Sequence, residues 1–219
     1  ASGNRVLQTD YDAGGHVVQV TEPLAWAYDP ASGSLTLRSR VTRHVVDAFG
    51  QVLRTSVLKD AATDAWIHTH FYYDRNGNLA GQVDALGYLT ARSYTAWNEL
   101  ATVTEYANPL AAGTWGLPSA TLAVDGYGLP VARPAASADN RVVSYGYDAA
   151  GRKTSETRSS AVVGVAADGS TTVASLTTNF AYDAVGNLVR TTDAAGAKTF
   201  SYYDALGRVV AVAAPSRTS

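Results

Sequence analysis

One phrase recurs along this chain and restricts what it can fold into: an aromatic residue, an aspartate, two residues and a glycine. Tyr-Asp stands at 11–12, 28–29, 73–74, 147–148, 182–183 and 203–204. With 13 Tyr and 15 Asp among 219 residues, chance would place about one such pair, so six mark an internal repeat. A chain built from one short repeated unit is expected to build one repeated local structure.

That structure follows from Asp-x-x-Gly, which starts at Asp12, Asp47, Asp74, Asp84, Asp125, Asp148, Asp183, Asp193 and Asp204. Asp at the first position of a type I turn can hydrogen-bond the turn's own amides, and Gly accepts the positive φ that follows in a bulged hairpin. Val or Leu stands two residues after the glycine at Val17, Val52, Leu79, Leu89, Leu188 and Val209, where a new strand begins. Successive aspartates lie 10 or 11 residues apart at 74/84, 183/193 and 193/204. Removing a four-residue turn leaves about seven residues, an ordinary strand. The spacing predicts an all-β chain, a long curled antiparallel meander of about 14 to 18 short strands. Trp26/Tyr28, Phe71/Tyr73, Tyr145/Tyr147 and Phe180/Tyr182 each place two rings on one strand face, which predicts an aromatic ladder.

The same residues carry a family resemblance. Tyr-Asp-x-x-Gly-[Arg/Asn]-[Leu/Val] at a spacing near 21 resembles the YD repeat of Rhs-repeat proteins, Tc toxin shell components and teneurins. Its signature residues here are Tyr11, Asp12, Tyr28, Asp29, Tyr73, Asp74, Gly77, Tyr147, Asp148, Gly151, Tyr182, Asp183, Gly186, Tyr203, Asp204 and Gly207. A degenerate copy reads Tyr94-Thr95-Ala96-Trp97-Asn98-Glu99-Leu100, with Asn in place of Gly, since Asn also visits the left-handed region. The resemblance implies a spiral sheet, a segment of the hollow β-shell that encloses a C-terminal toxic polypeptide. It also implies a secreted or surface-exposed bacterial protein with no catalysis of its own. The expected partners are adjoining repeat segments or that toxin. The end of the sequence, Ala213-Ala214-Pro215-Ser216-Arg217-Thr218-Ser219, lacks the Asp-Pro-x-Gly pattern that often closes the repeats in these families.

The whole of residues 1–219 is expected to form a single repeat region. Within it, 107–141 is an irregular insertion with Pro109, Pro118, Pro130 and Pro134 and at most one or two short strands near Ser119–Asp125, because proline cannot donate to a ladder. A longer turn, Asp29-Pro30-Ala31-Ser32-Gly33, and a polar connector, Lys59 to Asp64, are expected earlier in the chain. Between Asp148 and Asp183, the stretches 162–165 and 171–173 read as an extra hairpin closed through Asp168-Gly169.

Composition narrows the chemistry. A net charge of −2, with 16% charged residues and no basic run, lacks the electrostatic footprint of a nucleic-acid binder. Without cysteine there is neither disulfide, thiolate metal site nor thiol nucleophile. Without methionine, the sequence is expected to be a piece of a longer polypeptide. No apolar run approaches the length of a membrane-spanning helix.

No catalytic, cofactor-binding or metal residues emerge. His68-x-His70 puts two rings on one strand face, but a bridging metal wants further ligands and only Asp64 and Asp74 are near in sequence. Polar residues along one face of a strand are the plainer reading. Six Tyr-Asp pairs cannot each be an acid–base centre, whereas a ring in the ladder and a carboxylate in the turn account for every copy. No Gly-x-Ser-x-Gly elbow occurs, and the four glutamates, Glu22, Glu99, Glu105 and Glu156, offer no paired-carboxylate site. Trp26, Trp66, Trp97, Trp115 and the tyrosines leave an alternative open, an adhesion or glycan-binding module that stacks sugars on exposed rings. The terminal strands near Val6 and Val212, with only Arg5, Arg208 and Pro215 to block them, are expected to pair with other chains.

Overall fold

The structure is a computed structural model that describes residues 6–29, 33–60, 63–119, 122–135, 137–165 and 169–215. The described residues contain no helix, and every strand pairing is antiparallel. The chain is all-β. It divides into two compact units, Ala1–Leu89 with Pro109–Pro134, and Thr90–Asn108 with Ala135–Ser219.

In the first unit the strands are β1 (Gln8–Tyr11), β2 (Val17–Thr21), β3 (Ala25–Asp29), β4 (Ser34–Arg38), β5 (Val41–Val46), β6 (Val52–Asp60), β7 (Ala65–Tyr73) and β8 (Leu79–Val83). The ladder runs β1-β2-β5-β6-β7-β8, and β3 and β4 form a separate two-stranded hairpin. The departure begins beyond Thr21↔Val41, the last β2–β5 pair. Glu22 N still donates to Arg40 O at 2.9 Å, but Pro23 has no amide to continue. The Trp26/Tyr28 rings therefore lie outside the main ladder, 69% and 65% exposed, which corrects their expected place in the aromatic row. The tip expected at Pro30-Ala31-Ser32, and Ala61-Ala62 of the polar connector, lie outside the described residues, as does Arg5.

The second unit is a meander of β9 (Leu89–Tyr94, from Thr90 on), β10 (Leu100–Glu105), β11 (Arg141–Tyr147), β12 (Lys153–Val165), β13 (Thr171–Tyr182), β14 (Leu188–Thr192), β15 (Lys198–Tyr203) and β16 (Val209–Ala213). The stretches 162–165 and 171–173 pair with each other as expected, but as the far end of one long hairpin and not as added strands. Strands β12 and β13 are 13 and 12 residues long and stay paired as far as Val165↔Thr171. The Ser/Thr/Val alternation is simply uninterrupted by a turn signal, and two register shifts absorb its irregularities. Asp168 lies outside the described residues.

The first unit has a covered core. Leu110 N donates to Gly87 O at 2.9 Å, and the Tyr72 hydroxyl both donates to Gly116 O at 2.8 Å and accepts from Gly116 N at 3.0 Å. These bonds lay the Pro109–Pro134 stretch over β7 and β8. Tyr72, Ala80, Val83, Leu89, Leu110 and Leu129 are buried there. Gly128 fits so closely that an added Cβ would stand 2.1 Å from Tyr73 O. The described part of 107–140 contains no strand, only the isolated bridge Val124↔Pro130, and Arg141 already opens β11.

One irregularity recurs with the repeat. After the turns at 12, 47, 74, 95, 148, 183 and 204, the residue six places after the turn's first residue drops out of register, as between Tyr73↔Leu79 and Tyr72↔Gly81. Val18, Leu53, Ala80, Ala101, Thr154, Val189 and Val210 are the bulged residues. By contrast β14 and β15, joined by the 193–196 turn, pair without a shift. Each bulge bends its strand and increases local twist, so curvature is introduced along one edge of each ladder.

Candidate functional site

The described residues hold ten turns of one design. In the nine Asp-x-x-Gly turns the glycine amide donates to the aspartate carbonyl at 3.0–3.2 Å. The aspartate amide in turn donates to the carbonyl four residues on at 2.7–3.1 Å. The Asp Oδ1 accepts both the second and the fourth following amides at 2.8–3.1 Å. One carboxylate oxygen thus satisfies two amides that the turn would otherwise leave unpaired. In the tenth turn Thr95 Oγ1 does the same for Trp97 N and Glu99 N at 3.2 Å, and Asn98 takes the glycine's place at φ 63°.

The second carboxylate oxygen explains the Arg/Asn of the repeat. Asp74 and Asp183 Oδ2 accept from Asn78 and Asn187 Nδ2 at 3.0 and 2.9 Å. Asp148 and Asp204 Oδ2 pair with Arg152 and Arg208 at 2.7 Å, and Asp12 meets His16 Nδ1 at 3.1 Å. In Asp125 the partner is Arg133 instead. Amides from the following residues hold the carboxyls of Asp12, Asp148 and Asp204 below their ordinary value, and the Asn187 side chain does so first for Asp183. At Asp125 burial pulls upward, but the Leu129 and Tyr127 amides and Arg133 outweigh it.

Neighbouring turns on the same edge are joined in two ways. The tyrosine before the aspartate sends its hydroxyl to a carbonyl at the start of the strand after the preceding turn. Tyr73 donates to Val52 O at 3.2 Å in the first unit, and in the second Tyr147, Tyr182 and Tyr203 donate to Leu100, Lys153 and Leu188 O at 2.9, 2.9 and 3.0 Å. In each case the acceptor lies five residues after the first residue of the preceding turn. The fourth residue after that first residue also faces the next turn: Gln51 Nε2 donates to Gly77 O at 3.4 Å and Arg152 Nη1 to Asp183 O at 3.3 Å. The Arg152 guanidinium additionally covers the Tyr182 ring, 4.9 Å from its centroid, a cation–π contact.

These bonds place Tyr73, Asp74, Gly77, Tyr147, Asp148, Gly151, Tyr182, Asp183, Gly186, Tyr203, Asp204 and Gly207 in one recurring arrangement. Tyr11 and Asp12 begin the row, with Tyr11 61% exposed and its turn held by His16. Tyr28 and Asp29 lie in β3, outside the row. Sequence reasoning missed the bulge position and the exposed apolar residue two after the turn's first residue. The latter is Phe49, Trp97, Val185 or Leu206 on this edge. The spacing from each Asp carried both signals.

The two histidines do not gather a metal's ligands. His68 Nδ1 lies 2.9 Å from Ser56 Oγ, His70 packs edge-on against Trp115 with ring centroids 5.3 Å apart, and among the described residues no three potential ligands cluster. Burial, then Arg54 and His68, push the His70 pKa down to about 4. A cleft of about 490 Å³ opens between the 47–50 and 74–77 turns and the covering stretch, lined among others by Phe49, Phe71, Tyr73, Asp47, Asp74 and Arg75. No helix of the described residues is long and apolar enough to cross a membrane.

Comparison with known proteins gives one family. The RHS Repeat model matches residues 182–219, the stretch that holds the Tyr182 and Tyr203 turns. No curated protein matches the chain. Among solved structures, a crystal structure of TcdB2-TccC3-Cdc42 is similar at 16% identity and TM-score 0.37, over 94% of this chain and 12% of that one. TcdB2-TccC3 is similar at 17% identity and TM-score 0.37, over 95% and 12%. The Tc holotoxin pore of Photorhabdus luminescens is similar at 17% identity and TM-score 0.34, over 96% and 12%. The chain spans a small part of each structure.

Proposed function

We propose, from the match of residues 182–219 to the RHS Repeat model, that the chain is a wall segment of a hollow β-shell that encloses a polypeptide carried by the same parent chain. The observation that carries this reading is the tyrosine clip. In the second unit each hairpin is bonded to its neighbour through Tyr hydroxyl and carbonyl, by a rule that refers only to the preceding copy. A structure defined by nearest neighbours can be extended indefinitely, which suits a wall. Residues 1–219 are read as one repeat region, since both units use the same turn, bulge and clip.

On this reading the chain is structural and turns over no substrate. Its partners are adjoining repeat segments and the enclosed toxin, and its parent is secreted or displayed at a bacterial surface. The test is limited proteolysis of the full parent chain against a version lacking the repeats. The enclosed segment should survive only with the repeats present. Equal digestion in both would overturn the proposal.

A second reading, glycan binding, is favoured by the open cleft beside Phe49, Phe71 and Tyr73, whose rings stand among the Asp47, Asp74 and Arg75 side chains. Aromatic faces with polar groups at their rim suit sugars. A glycan array should then show a ligand that Phe49→Ala abolishes, and a blank array removes this reading.

A further inference from the structure

The first unit carries a row of polar side chains running across its strands. The register sets Asp10, Gln19, Arg43, Ser56 and His68 opposite one another on β1, β2, β5, β6 and β7, and residues in register share a face. Two residues further along, Arg54 stands opposite His70 on the same face. Gln19 bridges the row by donating to Asp10 Oδ2 at 3.2 Å and accepting from Arg43 Nε at 2.8 Å. A cavity of about 420 Å³ is lined by Arg43, His44, Arg54, Ser56, Trp66 and His68, with Asp10 also on its wall.

We propose that this cavity is an oxyanion site, taking the carboxylate, phosphate or sulfate group of a ligand between the Arg43 and Arg54 guanidiniums. Neither arginine forms an ion pair with a carboxylate among the described residues. Arg54 Nε is buried without a hydrogen-bond partner, and a buried donor left unpaired favours any acceptor that reaches it. The one acid on the cavity wall is already engaged, because Asp10 accepts from Gln8 and Gln19. Trp66 holds the Arg43 guanidinium 4.4 Å above its ring, and the Trp66 indole N–H is itself fixed on Asp64 at 2.8 Å. Two planar forks lining one cavity, that of Arg43 held by Gln19 and Trp66, match the geometry of an oxyanion better than they match each other.

Burial first, and then the Arg54 charge, lowers the pKa of both His68 and His70, which leaves the permanent positive charge of the cavity with the two arginines. This inference is independent of the shell reading, since it concerns one face of one unit.

The test is a titration of the protein with sodium phosphate at constant ionic strength, following the arginine Nε–Hε resonances. Saturable shifts confined to Arg43 and Arg54 are expected. Parallel titrations with sulfate and acetate show which oxyanion fits best, and saturation by any of the three supports the site. Arg43 is exposed, so Arg43→Gln should fold and should weaken binding at least about tenfold. Arg54→Gln should do the same, whereas Arg158→Gln on β12 should leave the titration unchanged. No saturable shift with any of the three anions, equal shifts at every arginine, or wild-type affinity in Arg43→Gln would overturn the site.

Discussion

The Tyr182 hydroxyl donates a 2.9 Å hydrogen bond to the carbonyl oxygen of Lys153, a residue 29 positions earlier that begins the strand after the preceding turn. The same tyrosine ring lies under the Arg152 guanidinium. One side chain therefore joins two turns twice, through its edge and through its face, and Tyr147 and Tyr203 repeat the hydroxyl bond on either side.

Tyr182→Phe keeps the ring and removes the clip, so it should lower stability by about 1 kcal/mol, the usual net worth of one such bond. Tyr203→Phe should cost a similar amount. The urea midpoint of each variant measures it, and midpoints equal to wild type would show that the clips carry no stability.

Gly186 has φ 98°, where a β-branched side chain is strained. Gly186→Val should cost at least about 1 kcal/mol, read as a lower melting temperature. Asn98, at φ 63°, marks the converse case. Asn98→Gly should be neutral or stabilising by a few tenths of a kcal/mol, because glycine meets no Cβ penalty there but adds disorder to the unfolded chain.

Acid should loosen the turns. The carboxyls of Asp12, Asp148, Asp183 and Asp204 titrate below the ordinary 3.8 in the folded protein, so their contribution is full above that value. It is lost as pH falls through the folded pKa values, when the folded state must take up protons. The urea midpoint should be flat near neutrality and fall steadily below about pH 5. Asp183→Asn should be less stable at neutral pH and should show a shallower fall. A variant with an unchanged acid slope would remove Asp183 from this account.

Among the described residues β16 pairs with β15 alone, and all five of its residues are exposed. A strand with one free edge and three valines offers itself to another chain. Sedimentation should show concentration-dependent association, and Val210→Lys should reduce it. A strict monomer at high concentration would contradict the expectation.

The local structure was legible in the residues themselves. Asp-x-x-Gly specifies its turn because donor, acceptor and positive φ all lie within five residues, so every turn in the row could be placed before any coordinate. The all-β class followed from the spacing, and the Thr95–Asn98 turn was readable as a variant because Thr and Asn supply the same acceptor and the same backbone freedom. Tertiary structure alone decided what depends on partners distant in the chain. It decided that Tyr182 reaches Lys153 rather than joining a purely apolar ladder, and that β12 and β13 run on as one long hairpin. It decided that Trp26 and Tyr28 leave the main ladder, and that the proline-rich stretch covers β7 and β8 through Tyr72 and Gly116. The cationic cavity belongs to the same class, since Arg43, Arg54 and His68 become neighbours only through strand register. Register is set by bulges and cross-strand packing, and neither is encoded within reach of a single turn.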